Sequence, residues 1–189
     1  MSLPVQVLTS YDQVVTAQIV PMTQQHYDDA EMIWKPILEA TGQPDASWMW
    51  DYKFRQSRQE DRYEAYALLV EDFPQGLMFI ETQWHRSCWP QRWPLVYVEA
   101  VSTAPWNRIE IERPPWFKQV GRVLLLYARQ RSLELGYSGR VGLHSLPGAE
   151  GFYRRLRMTD HGPDAEKEGL VYFEYNALNQ GALDRVARS

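Results

Sequence analysis

The sequence predicts a single α/β domain, a central mixed and twisted sheet flanked by helices. Three observations lead there. Strand-like apolar runs alternate with helical ones along the 189 residues. Two of these runs, "YEAYALLV" and "GLMFIET", flank "EDFPQG", a short stretch with proline and glycine that signals a hairpin. A long helical pattern after Lys118 then stands between two strand patterns. That is a βαβ unit, which implies parallel pairing and a right-handed crossover.

The elements follow in order. "TAQIVPM" reads as a strand. "TQQHYDDAEMIWKPILEA" reads as a helix capped by Thr23, with acids in its first turns and Gly42 beyond its end. A second helix covers "SWMWDYKFRQS", and the hairpin comes next. "PLVYVEAVST" is a strand, followed by an irregular loop and a helix from about Lys118 to Leu135, stopped by Gly136. In that helix Val120, Val123, Leu124, Tyr127, Ala128, Arg131 and Leu135 form a mostly apolar stripe. Leu125 and Leu126 widen it, so the helix is expected to be well buried. "GRVGLHS" is a strand, "GAEGFYRRLRM" a short helix and "GLVYFEYN" a last strand. The tail "ALNQGALDRVARS" is a frayed helix or disorder. The core is thus expected over 16–175, with 1–15 as an N-terminal extension and 176–189 as a tail.

Composition narrows the function. A net charge of −4 argues against non-specific binding to nucleic acid or anionic membrane. No apolar run reaches the length of a membrane span, and "MSLPVQVLTS" lacks the features of a signal peptide. Cys88 is the single cysteine, which excludes an internal disulfide and fits a reducing, cytoplasmic setting. His85-x-x-Cys88 has metal-site spacing, but four histidines and one cysteine are a poor zinc set, so no metal is expected. Neither a Ser-His-Asp order nor a G-x-S-x-G elbow supports a hydrolase. Among eight tryptophans, Trp34, Trp48 and Trp50 lie early, and Trp84, Trp89, Trp93, Trp106 and Trp116 crowd the middle. They serve core and interface packing, or they line an aromatic pocket.

One glycine raises a sharper question. Gly121 opens the long helix between Lys118 and Arg122, although glycine costs helix stability relative to alanine. A helix N-terminus presents unbonded N–H groups and a positive dipole end to an anion. Without a Cβ, Gly121 lets a pyrophosphate approach the backbone, while Lys118 and Arg122 add charge. Close packing of helix on strand is the competing explanation. Two familiar nucleotide loops are excluded, since neither G-x-x-x-x-G-K-[ST] nor G-x-G-x-x-G occurs.

The order of elements, with "YVEAVSTAP", "KQVG" running into "RVLLLYA", and "AEGFYRRLRM", resembles the GNAT acyltransferase superfamily. The residue-level match is concentrated between Tyr97 and Met158. The resemblance implies transfer of an acetyl or other acyl group from acetyl-CoA, or another acyl-CoA, to an amine acceptor, here a small molecule. It assigns Lys118, Gln119, Val120, Gly121, Arg122, Val123 and Leu124 to the pyrophosphate loop. Backbone groups around Val101, Ser102 and Thr103 would hold the pantetheine arm and polarise the thioester carbonyl. Tyr153 matches the family's general acid, or is a packed aromatic beside Phe152. Glu99 has apolar neighbours in Val98 and Ala100; it is a base, an anchor for the substrate ammonium, or a partner in an internal salt bridge. Glu81, His85 and His144 are weaker candidates for the base. Arg154, Arg155 and Arg157 make a basic cluster, read as a solvated face or as contact with the nucleotide phosphates of CoA.

The sequence also departs from the family pattern. Lys118 replaces Gln or Arg, Val123 replaces a small residue, Arg157 and Met158 replace Gly-Phe, and Leu146 stands where many members carry asparagine. "IEIERPPWF" intervenes before the phosphate loop, and a loop of that length is a candidate to shape or cover the acceptor site. Two alternatives accompany the small-amine enzyme. One is a non-catalytic module of the same fold that binds acyl-CoA or a partner; the other is an enzyme acylating a protein or tRNA.

Overall fold

A computed structural model of the chain describes residues 2–178. Of the tail read from the sequence, 179–189 lie outside the described residues. The strands are β1 (Leu3–Thr9), β2 (Val14–Pro21), β3 (Tyr63–Val70), β4 (Phe73–Glu81), β5 (Val96–Thr103), β6 (Phe117–Lys118), β7 (Val141–Ser145), β8 (Thr159–Asp164) and β9 (Leu170–Tyr175). The helices are α1 (Gln24–Asp29), α2 (Lys35–Ala40), α3 (Trp50–Gln59), α4 (Val120–Glu134) and α5 (Glu150–Arg155). Hydrogen-bonded neighbours run β6-β1-β2-β3-β4-β5-β7-β9-β8. The sheet is mixed: β5 and β7 pair in parallel, from Val96↔Val141 to Val98↔Leu143, while β1–β2, β2–β3, β7–β9 and β8–β9 are antiparallel. The βαβ reading of the long helix therefore holds.

The described residues fall into two compact units, one drawn from 2–80 and 99–126, the other from 81–98 and 127–178. In the first unit, alternate residues of β3 and β4 meet the first helices. Ala65, Ala67, Leu69, Leu77 and Phe79 share a core with Trp34, Leu38 and Trp50. β1 was expected to lie in an extension, yet it pairs with β2 from Leu3↔Ile19 to Leu8↔Val14. Its half-exposed pattern leaves only Val7 fully buried, which is a weak apolar signal. The hairpin turn is tighter than "EDFPQG" suggested. Glu71 and Asp72 take φ of 50° and 64°, the two left-handed positions of a primed two-residue turn, and β4 already begins at Phe73.

The helix read over 23–40 is continuous but not regular. Between α1 and α2, residues Ala30–Trp34 form a π turn, and the Lys35 amide reaches back to the Ala30 carbonyl. Pro36 explains the irregularity, because its ring lacks an N–H and crowds the preceding turn. At the N-terminus the Thr23 amide donates to His26 Nδ1 at 3.2 Å.

In the second unit α4 ends as expected. Gly136 takes φ 78°, its amide bonds to Leu133, and Tyr137 bonds back to Ser132. Leu125 is buried but Leu126 is 48% exposed, so the apolar stripe is narrower than its sequence suggested. β8, "TDHGPD", is polar and broken by a bulge, and its strand character has no apolar signature.

Candidate active site

The first turn of α4 is held from both sides. β6 pairs Phe117 with Thr9 and Lys118 with Leu8, which fixes the chain just before the helix. Gln119 then takes φ 71°, a left-handed conformation unusual for a residue with a side chain, and its carbonyl receives the first helical bond from Val123 at 2.9 Å. The amides of Val120, Gly121 and Arg122 consequently have no acceptor within the helix. Gly121 is half-buried and Arg122 exposed, its guanidinium 3.4 Å from Gln119 Oε1. The Lys118 ammonium pairs with Asp12 at 2.9 Å, an exposed contact that holds it weakly. Unbonded amides, a positive dipole end and an arginine fit an anion chemically.

Beneath that turn Val120 and Leu124 are buried against β4. A Cβ on Gly76 would lie 2.8 Å from both Val120 Cγ1 and Leu124 Cδ1, and 3.4 Å from the Ser102 carbonyl oxygen. Gly76 thus permits the close seating of the helix start. The sequence offered it only as a hairpin glycine.

Glu99, Val101 and Thr103 occupy the half-buried positions of β5, whereas Ala100 and Ser102 are buried. Ser102 Oγ donates to Asp45 at 2.7 Å. Arg108 grips both oxygens of Asp45, at 2.8 and 2.6 Å, and also donates to Ser102 Oγ, Gln43 and the Thr103 carbonyl. Burial works against the Asp45 charge, but the Arg108 guanidinium and the Ser102 hydroxyl outweigh it and hold the carboxyl below its ordinary range. Of the groups expected at the pantetheine arm, the Thr103 carbonyl is therefore engaged by Arg108. The stretch before the insertion is anchored in the same way. Trp106 Nε1 and Asn107 Nδ2 donate to Gln75, and Asn107 Oδ1 accepts the Phe117 amide.

One group near Glu99 had no sequence signal. Lys53 on α3 places its ammonium over the rings of Trp48 (5.7 Å) and Phe79 (5.5 Å). Burial pushes its pKa down, and the charge of Glu99 acts against that fall. Among the described residues it makes no hydrogen bond or close ion pair. Spacing along the chain could not have joined Lys53 to Glu99, 46 residues further on.

The second unit holds Tyr153, buried on α5, with Phe152 edge-on at 5.2 Å and Phe173 at 5.4 Å. Arg157 takes φ 61° after α5, the left-handed position where the family pattern has glycine, and Met158 is buried. Arg154 pairs with Asp160 at 2.8 Å. The weaker base candidates have structural partners. Glu81 is fully buried and accepts the amides of Gln83, Trp84 and His85 and the His85 ring, at 2.6–3.0 Å. Burial opposes its ionisation, but these donors hold its pKa at about 2, so it is a poor proton acceptor at neutral pH. His144 lies between the Tyr97 hydroxyl (2.6 Å to Nδ1) and Asp164 (3.0 Å to Nε2). Burial lowers its pKa against the pull of Asp164, and the neutral ring takes the tautomer with its proton on Nε2. The tryptophans divide: Trp34 and Trp50 are core, while Trp84, Trp89, Trp93 and Trp116 are exposed.

No protein-family model and no curated protein sequence matches the chain. Solved structures do. The GNAT domain of S. lividans PAT superposes with a TM-score of 0.60 at 12% identity, over 91% of this chain and 96% of that one. PaiA N-acetyltransferase from Thermoplasma acidophilum, in complex with coenzyme A, gives 0.57 at 10% identity, over 85% and 98%. AAC(6')-Iy, in complex with the bisubstrate analogue CoA-S-monomethyl-acetylneamine, gives 0.53 at 13% identity, over 75% and 87%. The protein has the GNAT acetyltransferase fold. Among the described residues, no helix is long and apolar enough to cross a membrane.

Proposed function

We propose that the protein is an acyl-CoA-dependent N-acyltransferase acting on a small primary amine. The observation that carries the reading is the start of α4: a left-handed Gln119, three amides without helical acceptors, and Gly121, within a fold that a neighbour uses in complex with coenzyme A. Fold likeness alone would not suffice, because one fold hosts many functions. In this reading the amides of Val120, Gly121 and Arg122 hold the pyrophosphate, with Gln119, Lys118, Val123 and Leu124 shaping the loop. The thioester supplies the activated acyl group. Val101 and its neighbours on β5 orient it, Glu99 takes the proton of the attacking amine, and Tyr153 gives one to the departing thiolate. The small-amine preference follows the acceptor half of the bisubstrate analogue bound by AAC(6')-Iy.

A purified sample given acetyl-CoA and a panel of amines, followed by release of free thiol, tests the proposal. Turnover with at least one amine is expected. Tyr153→Phe should lower single-turnover rates by roughly 10²–10⁴-fold with CoA affinity nearly unchanged, the loss typical of a removed general acid. Wild-type turnover in the variant would take Tyr153 out of the mechanism. CoA binding without acylation of any amine would favour the non-catalytic module, which the substitution of Val123 for a small residue also suits.

A further inference from the structure

The left-handed φ of 71° at Gln119 is costly for a residue with a side chain, and it persists only where its neighbours over-determine it. On the C-terminal side Val120 is seated on Gly76. On the N-terminal side β6 is only two residues long, pairs with Thr9 and Leu8, and follows directly on the insertion. That pairing is a slight restraint against the entropy of such a loop. Asn107 closes the loop. Its Oδ1 accepts the Phe117 amide at 2.9 Å, while its Nδ2 donates to Gln75 Oε1 at 3.0 Å and to the Gln75 carbonyl at 3.4 Å. Beside it the Trp116 amide donates to the Trp106 carbonyl at 2.9 Å.

The partners fix how each side-chain amide is turned. Only an oxygen can take the Phe117 N–H, and only an N–H can meet the Gln75 carbonyl. Gln75, 4% exposed, presents Oε1 to two donors, Asn107 Nδ2 and Trp106 Nε1. Aspartate in place of Asn107 would lack the donor, and leucine would lack both groups. Gln75 also directly precedes Gly76. Adjacent positions of β4 thus hold the chain on either side of Gln119, Gln75 through Asn107 and Phe117, Gly76 through Val120. We infer that Asn107 is a positioning residue for the pyrophosphate loop, acting through the Phe117 amide; the inference rests on the function proposed above. By fixing Phe117 it supports the Gln119 turn, and that turn keeps the amides of Val120, Gly121 and Arg122 converging on one anion. Donors held ready in this way bind more tightly than donors that must first be ordered.

NMR titration of the full-length chain with CoA and with pantetheine, which ends before the pyrophosphate, separates positioning from general support of the fold. Asn107→Ala should bind CoA about 10-fold more weakly, the size of one lost hydrogen bond, and pantetheine as the wild type does. Unchanged CoA affinity, or equal weakening towards both ligands, would overturn the inference and leave the proposed function standing. Should Asn107→Ala fail to fold, hydrogen exchange in the wild type carries the test. CoA should slow exchange of the Phe117 amide and pantetheine should not, because the loop and the anion stabilise each other reciprocally. Equal slowing by both ligands, or by neither, would overturn the inference. No binding of CoA to the wild type would sink both readings.

Discussion

Asp45 and Glu81 are both buried carboxylates that stay ionised, but opposite means hold them. Asp45, in the first unit, is gripped by a guanidinium that also reaches Gln43, Ser102 and the Thr103 carbonyl. Glu81, in the second, is held by three backbone amides and a ring nitrogen, all within four residues of it. A cationic partner from distant sequence ties three segments together, including the end of β5. An amide clamp fixes only the turn that follows β4. The first arrangement positions candidate site residues, and the second keeps a connection in shape.

Breaking each should therefore have different reach. Asp45→Ala would leave Arg108 buried without its counter-charge, and the cost should be about 3–5 kcal/mol in denaturant unfolding. It should also loosen the end of β5 and lower CoA affinity. A variant with wild-type stability would show that Arg108 finds another partner and that the tie is dispensable. The Glu81 clamp is better probed by pH. Its folded pKa of about 2 lies below the ordinary value of 4.5, so its contribution is fully present above pH 4.5 and is lost as pH falls towards 2. The shift corresponds to about 3 kcal/mol. Asp45 shifts in the same direction, so the informative quantity is the difference between wild type and Glu81→Gln. The variant should lose less stability over that acid range. Parallel curves would mean that the clamp does not carry the pH dependence. A smaller effect is expected at the seat of α4. Gly76→Val should cost about 1–3 kcal/mol by overpacking against Val120 and Leu124, and should weaken CoA binding more than it weakens the fold.

What the sequence disclosed follows from the range of its signals. Apolar runs announced β3, β4 and β5, helical spacing announced α4, and the stop at Gly136 is a local rule. β1 escaped because its buried face shows a single fully buried residue, and β6 because two residues cannot carry a period. Gly121 and Tyr153 were legible through a resemblance in short motifs. Gly76, Lys53 and the Asp45–Arg108 pair were not. Each depends on which chain segment lies opposite, 45 or more residues away for the last two, and no local pattern encodes that. The Gln119 conformation was hidden for another reason: glutamine is not a residue that announces positive φ.

The central claim is that the first turn of α4 receives the pyrophosphate of an acyl-CoA. Thermal unfolding of the wild type and of Gly121→Glu, each with and without CoA, tests it most directly. At one hundred times the dissociation constant, CoA should add about 2.7 kcal/mol to the wild type by mass action. The variant, which puts a carboxylate among those amides, should fold and show no such gain. No stabilisation of the wild type, or equal stabilisation of both proteins, would contradict the account.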